Sequence, residues 1–147
     1  MKDILDRFRS TLERATGKLA RVGEEESMVA VAPGTWSRKQ ILGHLIDSAA
    51  NNHQRFVRAQ LESRLEFPGY AQDQWVSAQN YQEENWGYLV ACWAGYNRHL
   101  LHAIAQIPAD KLAHTVVVGK DEPVTLEFLI RDYVRHLEHH LAQITGK

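Results

Sequence analysis

The sequence predicts an all-α fold, a four-helix bundle with a short extended hairpin or loop before its last helix. Three observations predict it. Four long stretches carry apolar residues at helical spacing, Pro and Gly break the chain between them, and no linker, repeat or charge block over residues 1–147 marks a second domain.

The first helix is expected from about Lys2 to Ala20, where Ile4, Leu5, Phe8, Leu12, Ala15 and Leu19 recur among charged residues. Ala32-Pro33-Gly34 is a turn. Ser37 and Gln40 have the spacing of a capping box, in which the serine oxygen accepts a free backbone N–H and the glutamine side chain reaches back. A second helix is expected from there to about Leu65, broken by Phe67-Pro68-Gly69. The third runs from about Asn80 to Ile107, with Trp86, Leu89, Val90, Trp93, Tyr96, Leu100, Leu101 and Ile104 apolar, and Pro108 ends it. Val116-Val117-Val118 followed by Gly119-Lys120-Asp121-Glu122 reads as the extended hairpin or loop. Thr125 is placed to cap the fourth helix, Leu126 to Ile144. Connections 21–33 and 67–79 are longer than tight antiparallel hairpins need, so one or both are expected to cross over.

With 44% hydrophobic residues, 24% charged and a formal net charge of −1, the composition is that of an ordinary globular domain. Scattered Lys and Arg offer no footprint for nucleic acid, and no run approaches the ~20 apolar residues of a membrane span. The opening residues MKDILDRFRS do not read as a signal peptide, so a cytoplasmic protein is expected. Cys92 lies among Leu89, Val90 and Trp93 and reads as a small buried hydrophobe.

Eight histidines is a high number for 147 residues. With Tyr133 set at zero and about 100° per residue, His140 falls near −20° and His136 near −60°, inside and at the edge of the apolar stripe, whereas His139 falls near −120°. Two imidazoles four apart on one helix can grip one metal ion, as in HExxH sites. A pair at this spacing occurs often by chance, a half-buried histidine is usually just hydrogen-bonded, and a stable site usually needs three protein ligands. The second helix supplies a candidate third. His44, Ser48, Asn52 and Arg55 form a polar stripe along one edge of it, with Asn51 just outside, while Asp47 points the other way. His53, His99, His102 and His114 have no partner at metal spacing, and His99 and His102 read as a solvated face.

The segments Trp36-Ser37 … Ile41-Leu42-Gly43-His44-Leu45-Ile46-Asp47-Ser48 … Asn51 and Asp132-Tyr133-Val134-Arg135-His136-Leu137-Glu138-His139-His140 … Ile144 resemble the second and last helices of DinB-like proteins, the YfiT type among them. The resemblance covers nearly the whole chain, and its specificity lies in three histidines and their flanks. It implies an up-down-down-up bundle, often a homodimer, whose metal ligands are His44, His136 and His140, the metal being commonly zinc or nickel. Some relatives transfer low-molecular-weight thiols to electrophiles, and others have no assigned activity.

Three neutral imidazoles leave a divalent ion its full charge and an open position, so it can lower the pKa of a bound water or thiol. Ser48, Asn51, Asn52 and Arg55 are the residues expected to orient a small-molecule substrate, and Trp75, Tyr81 and Trp86 could cover the mouth of the site. Leu137 follows His136, so the general base of HExxH is missing and no carboxylate is obviously placed to serve a leaving group. The expectation is therefore a metal-dependent transferase activating a low-molecular-weight thiol. The alternatives are a metal-dependent hydrolase of a small amide or ester, or a non-catalytic bundle that binds a metal or small molecule.

Overall fold

The computed structural model describes residues 1–146. Helices α1 (Lys2–Ala20), α2 (Glu24–Ser27), α3 (Arg38–Arg58), α4 (Gln72–Gln79), α5 (Trp86–Ala105) and α6 (Leu126–Thr145) accompany strands β1 (Arg64–Phe67), β2 (Thr115–Val118) and β3 (Val124–Thr125). The bundle is α1, α3, α5 and α6. Each of α1 and α6 presents an apolar stripe, and Phe8, Leu12, Leu19, Leu42, Leu45, Trp93, Leu100, Val134 and Leu137 meet in the core.

Side-chain pairs give the helix directions. Asp3 bonds Arg131 and Arg7 bonds Glu138, so α1 and α6 run parallel. Arg38 donates to the carbonyl of Ile144, whereas Phe56 packs edge-on against Tyr133, so α3 and α6 are antiparallel. His53 meets Tyr96 five residues before α3 ends, and at the opposite end Lys39 reaches the carbonyl of Gln82 just ahead of α5. Helices α3 and α5 are therefore parallel neighbours. That is the up-down-down-up arrangement.

The arrangement explains the long connections. Each of α1 and α3 packs on α5 and α6, so the 21–37 segment crosses a diagonal of the bundle, as its length suggested. The 59–85 segment joins parallel neighbours and must return along a helix about 30 Å long, which β1 and α4 accomplish. The other diagonal is spanned by 106–125, which carries the predicted hairpin.

Both predicted caps form. Ser37 and Gln40 bond reciprocally at the start of α3, and Thr125 accepts from the Phe128 N–H at 3.1 Å. Three expectations need correction. The second helix ends at Arg58, not near Leu65, because Leu65 and Phe67 alternate with Arg64 and Glu66 and pair in parallel with β2. The third helix begins at Trp86, not Asn80. Asn80 turns left-handed (φ 48°), a one-turn 3-10 segment follows, and the Asn85 side chain caps Tyr88. Cys92 is exposed, not buried. Helix α5 is apolar on nearly all sides there, and Leu89, Val90 and Trp93 take the core.

Among the described residues, no helix is long and apolar enough to cross a membrane.

Candidate metal site

Helix α3 buries His44 completely, with the tilted Trp36 indole 5.1 Å away between ring centres. Helix α6 brings His136 and His140 to it one turn apart. Ring centres lie 5.1 Å (His44–His136), 4.8 Å (His44–His140) and 4.5 Å (His136–His140) from one another. His139 is exposed, as its helical phase requires. The pattern of α6 thus divided its three histidines correctly.

His44 Nε2 and His136 Nε2 are 3.2 Å apart, and one nitrogen from each of the three rings lies within 4.8 Å of the others. A tetrahedral ion with nitrogen ligands at about 2.0–2.1 Å separates them by about 3.3 Å. The first pair already has that spacing. A single N–H···N bond would account for two of these rings but not for the third. His140 Nδ1 donates to Gln143 Oε1 at 2.7 Å, which leaves its Nε2 lone pair free to ligate. His44 Nδ1 is buried without a protein partner, and its Nε2 is the nitrogen that faces His136. The donor set fits a divalent transition metal.

Burial and mutual repulsion keep all three rings neutral. His44 is pushed from 6.5 down to about 3, first by desolvation and then by His140 and His136. His136 falls to about 4 by desolvation and the charge of His140, partly offset by Asp132. His140 is lowered by desolvation, against the opposing bond to Gln143. Neutral imidazole is the ligating form.

The same shifts make an expected pH response. A folded-state pKa below the unfolded one means that the unfolded chain takes up protons first as pH falls. Chelator-treated protein should be at full stability above pH 6.5 and lose stability progressively toward pH 4. Each histidine that titrates only in the unfolded chain contributes about 1.4 kcal/mol per pH unit. Urea unfolding at pH 7, 6 and 5 measures it, and identical midpoints would contradict the burial of neutral rings.

Two clefts flank the cluster. One, of about 340 Å³, is lined by Ser48, Asn52, Arg55, Tyr70, Asp132 and His136 among others. The other, of about 570 Å³, is lined by Trp36, Ile41, Thr35, Asp73 and His140 among others. Of the residues expected to orient a substrate, Ser48, Asn52 and Arg55 line the first cleft. Asn51 does not: it sits outside the stripe on α3, and its amide donates to the Asp47 carbonyl at 2.9 Å. The stripe on α3 is a buried wall instead of a solvated edge: Ser48, Asn51, Asn52 and Arg55 are each less than 9% exposed.

Trp75, Tyr81 and Trp86 line neither of these two clefts. Tyr81 and Trp86 are buried, with the Trp86 indole donating to the Leu19 carbonyl, and Trp75 is exposed and packs against Tyr70. Asp47 stays out of the metal cluster, as its phase indicated, and accepts from the Tyr81 hydroxyl at 2.7 Å.

The cleft also contains polar residues outside the expected set, Tyr70 and Asp132 among them. Tyr70, whose hydroxyl is pushed up to about 12 by burial and the nearby Asp47 charge, has no signal in its local sequence. Asp132 had one, since it precedes His136 by four residues on the same helix face. His53 and His99, expected to have no partner at metal spacing, have ring centres 5.2 Å apart, and neither belongs to a three-residue ligand cluster among the described residues.

The DinB superfamily model matches residues 3–144, and the chain belongs to that superfamily. Its fold is similar to that of YfiT from Bacillus subtilis, described as a probable metal-dependent hydrolase with an unusual four-helix bundle topology. The TM-score is 0.81 at 22% identity, over 99% of this chain and 86% of that one. It is equally similar to the mycothiol-dependent maleylpyruvate isomerase, with a TM-score of 0.81 at 16% identity. There the match covers 99% of this chain but 60% of the isomerase, and a mutant of that enzyme gives the same values. At such identities the likeness establishes the fold alone. No curated protein sequence matches the chain.

Proposed function

We propose that this protein is a metal-dependent transferase in which His44, His136 and His140 hold one divalent ion, zinc or nickel, that activates a low-molecular-weight thiol toward a small electrophile. The observation that carries the reading is the pair of clefts meeting at the histidine cluster, one reaching His136 and the other His140. A transferase must seat two substrates at one centre, whereas a purely structural ion normally takes four protein ligands and needs neither cleft.

A divalent ion bound there would supply a +2 charge that favours thiolate over thiol near neutral pH. The remaining work falls to the chain. The three rings, held neutral, leave that charge undiminished. Trp36 and Ile41 provide an apolar wall beside His140, and Ser48 and Asn52 offer polar atoms beside His136. A thiolate needs no separate base, which suits a site lacking the HExxH glutamate. The mycothiol dependence of one structural neighbour is consistent with this reading.

Asp132 favours a second reading. It shares the first cleft with His136, and only its Oδ1 is engaged, by Arg135. A carboxylate there could accept a proton from water, so hydrolysis of a small amide or ester is the alternative. A cytoplasmic location and a twofold homodimer complete the proposal.

Incubation of metal-loaded protein with monobromobimane or a chlorodinitrobenzene and bacillithiol, mycothiol, glutathione or cysteine in turn tests it. The expected result is protein-dependent conjugation with at least one thiol, lost on chelation and unaffected by Asp132→Asn. Metal-dependent ester hydrolysis that Asp132→Asn abolishes, without thiol transfer, would replace the proposal by the alternative.

A further inference from the structure

Arg55 is buried to 7% exposure, yet none of the ion pairs among the described residues includes it. Its Nε is buried with no hydrogen-bond partner, and its one bond is a long 3.4 Å contact from Nη1 to Asn52 Oδ1. The Phe67 ring lies 5.6 Å from the guanidinium carbon. A guanidinium stays charged, and burial works against that charge more than Asp121 across the cleft supports it, so removing it from water without a paired anion is costly. Helix α3, β1 and the cleft wall nevertheless hold it there, lining the cavity that reaches His136. The carboxylates in the lining, Asp121 and Asp132, form no ion pair with it, so its N–H groups are left to whatever the cavity holds.

The rest of the lining narrows the choice. Asp121 and Asp132 also line this cleft. Two carboxylates in one lining disfavour a dianionic phosphate more than a singly charged carboxylate. Arginine's planar fork matches a carboxylate in two parallel bonds. Arg55 follows His44 by three helical turns, about 16 Å along α3, and long helical side chains lean back toward the N-terminus, here toward the histidines. A molecule of a few carbons would span the remaining gap, as a cavity of about 340 Å³ requires.

We infer that this cleft binds a small carboxylic acid whose carboxylate pairs with Arg55 while its far end lies at the histidine cluster. The inference takes its catalytic meaning from the proposed metal chemistry, but the carboxylate site does not depend on the metal.

Titration by NMR of chelator-treated protein with hexanoate, hexanamide and hexyl phosphate tests it. Hexanoate should bind at least tenfold more tightly than hexanamide and more tightly than hexyl phosphate. Arg55→Gln should erase the preference for the acid over the amide, and Arg55→Lys should retain part of it, because a point charge replaces the fork. Equal binding of acid and amide, no saturable hexanoate binding, preference for hexyl phosphate, or an undiminished preference in Arg55→Gln would each overturn the inference. Should Arg55→Gln fail to fold, the wild-type probe comparison and Arg55→Lys still decide. Cobalt uptake, measured separately, reports on the metal reading: its absence with intact hexanoate binding would refute the metal and leave the carboxylate site standing.

Discussion

Replacing His44 by alanine should abolish stoichiometric metal binding. The three nitrogens form one donor set within 4.8 Å, and no Cys, Asp or Glu joins them among the described residues. Removing any ring leaves two ligands, fewer than a stable site holds. Losing a partner that only orients a ligand costs about 10–100-fold in affinity, and losing a ligand itself should exceed that. His136→Ala and His140→Ala should behave alike, whereas His139→Ala, an exposed neighbour, should keep wild-type metal content. Elemental analysis after dialysis, with circular dichroism as the folding control, measures it. Metal loss in His139→Ala with retention in His140→Ala would mean that α6 faces the site differently.

Gly43→Ala should destabilise the protein by about 1–3 kcal/mol, although alanine is the better helix former by roughly 0.5–1 kcal/mol. The Tyr81 ring lies against the Gly43 backbone, so a Cβ there would fall far inside van der Waals contact with the ring carbons. The ring cannot retreat cheaply, because its hydroxyl is tied to Asp47 on the same helix one turn on, and Gln79 Nε2 donates to the same oxygen at 2.7 Å. The contact fastens the segment between α4 and α5 to α3 beside His44. Thermal unfolding should show a drop of about 2–4 °C per kcal/mol for a chain of this size. In a Tyr81→Ala background the clash is gone, so Gly43→Ala should become neutral or stabilising. An additive pair of effects would show that the ring is not the obstacle.

The contrast between what could and could not be read from the residues follows their range. Caps at Ser37 and Thr125 act within one turn, and both are visible in a four-residue window. The phase of α6 is carried by a strong stripe, Leu126, Leu129, Tyr133, Leu137 and Ile144, so His136 and His140 turned inward and His139 outward. Helix α5 lacks such contrast at Cys92, so the local pattern does not separate its buried face from its exposed one. The end of α3 is not legible locally because Arg64–Phe67 pairs with Thr115–Val118, a partner far along the chain that no local window contains. The burial of Arg55 depends on that same strand, since Phe67 is its neighbour. Residue types on α3 could mark a polar stripe, but not that the sheet and Tyr70 would seal it into a cleft.

X-ray absorption at the edge of the bound metal, recorded before and after adding a low-molecular-weight thiol, tests the central claim most directly. Three imidazole nitrogens at about 2.0–2.1 Å and an oxygen are predicted first, with a sulfur at about 2.3 Å replacing the oxygen once the thiol is present. Fewer than three imidazoles, or a fourth protein ligand that leaves the spectrum unchanged by thiol, would contradict it.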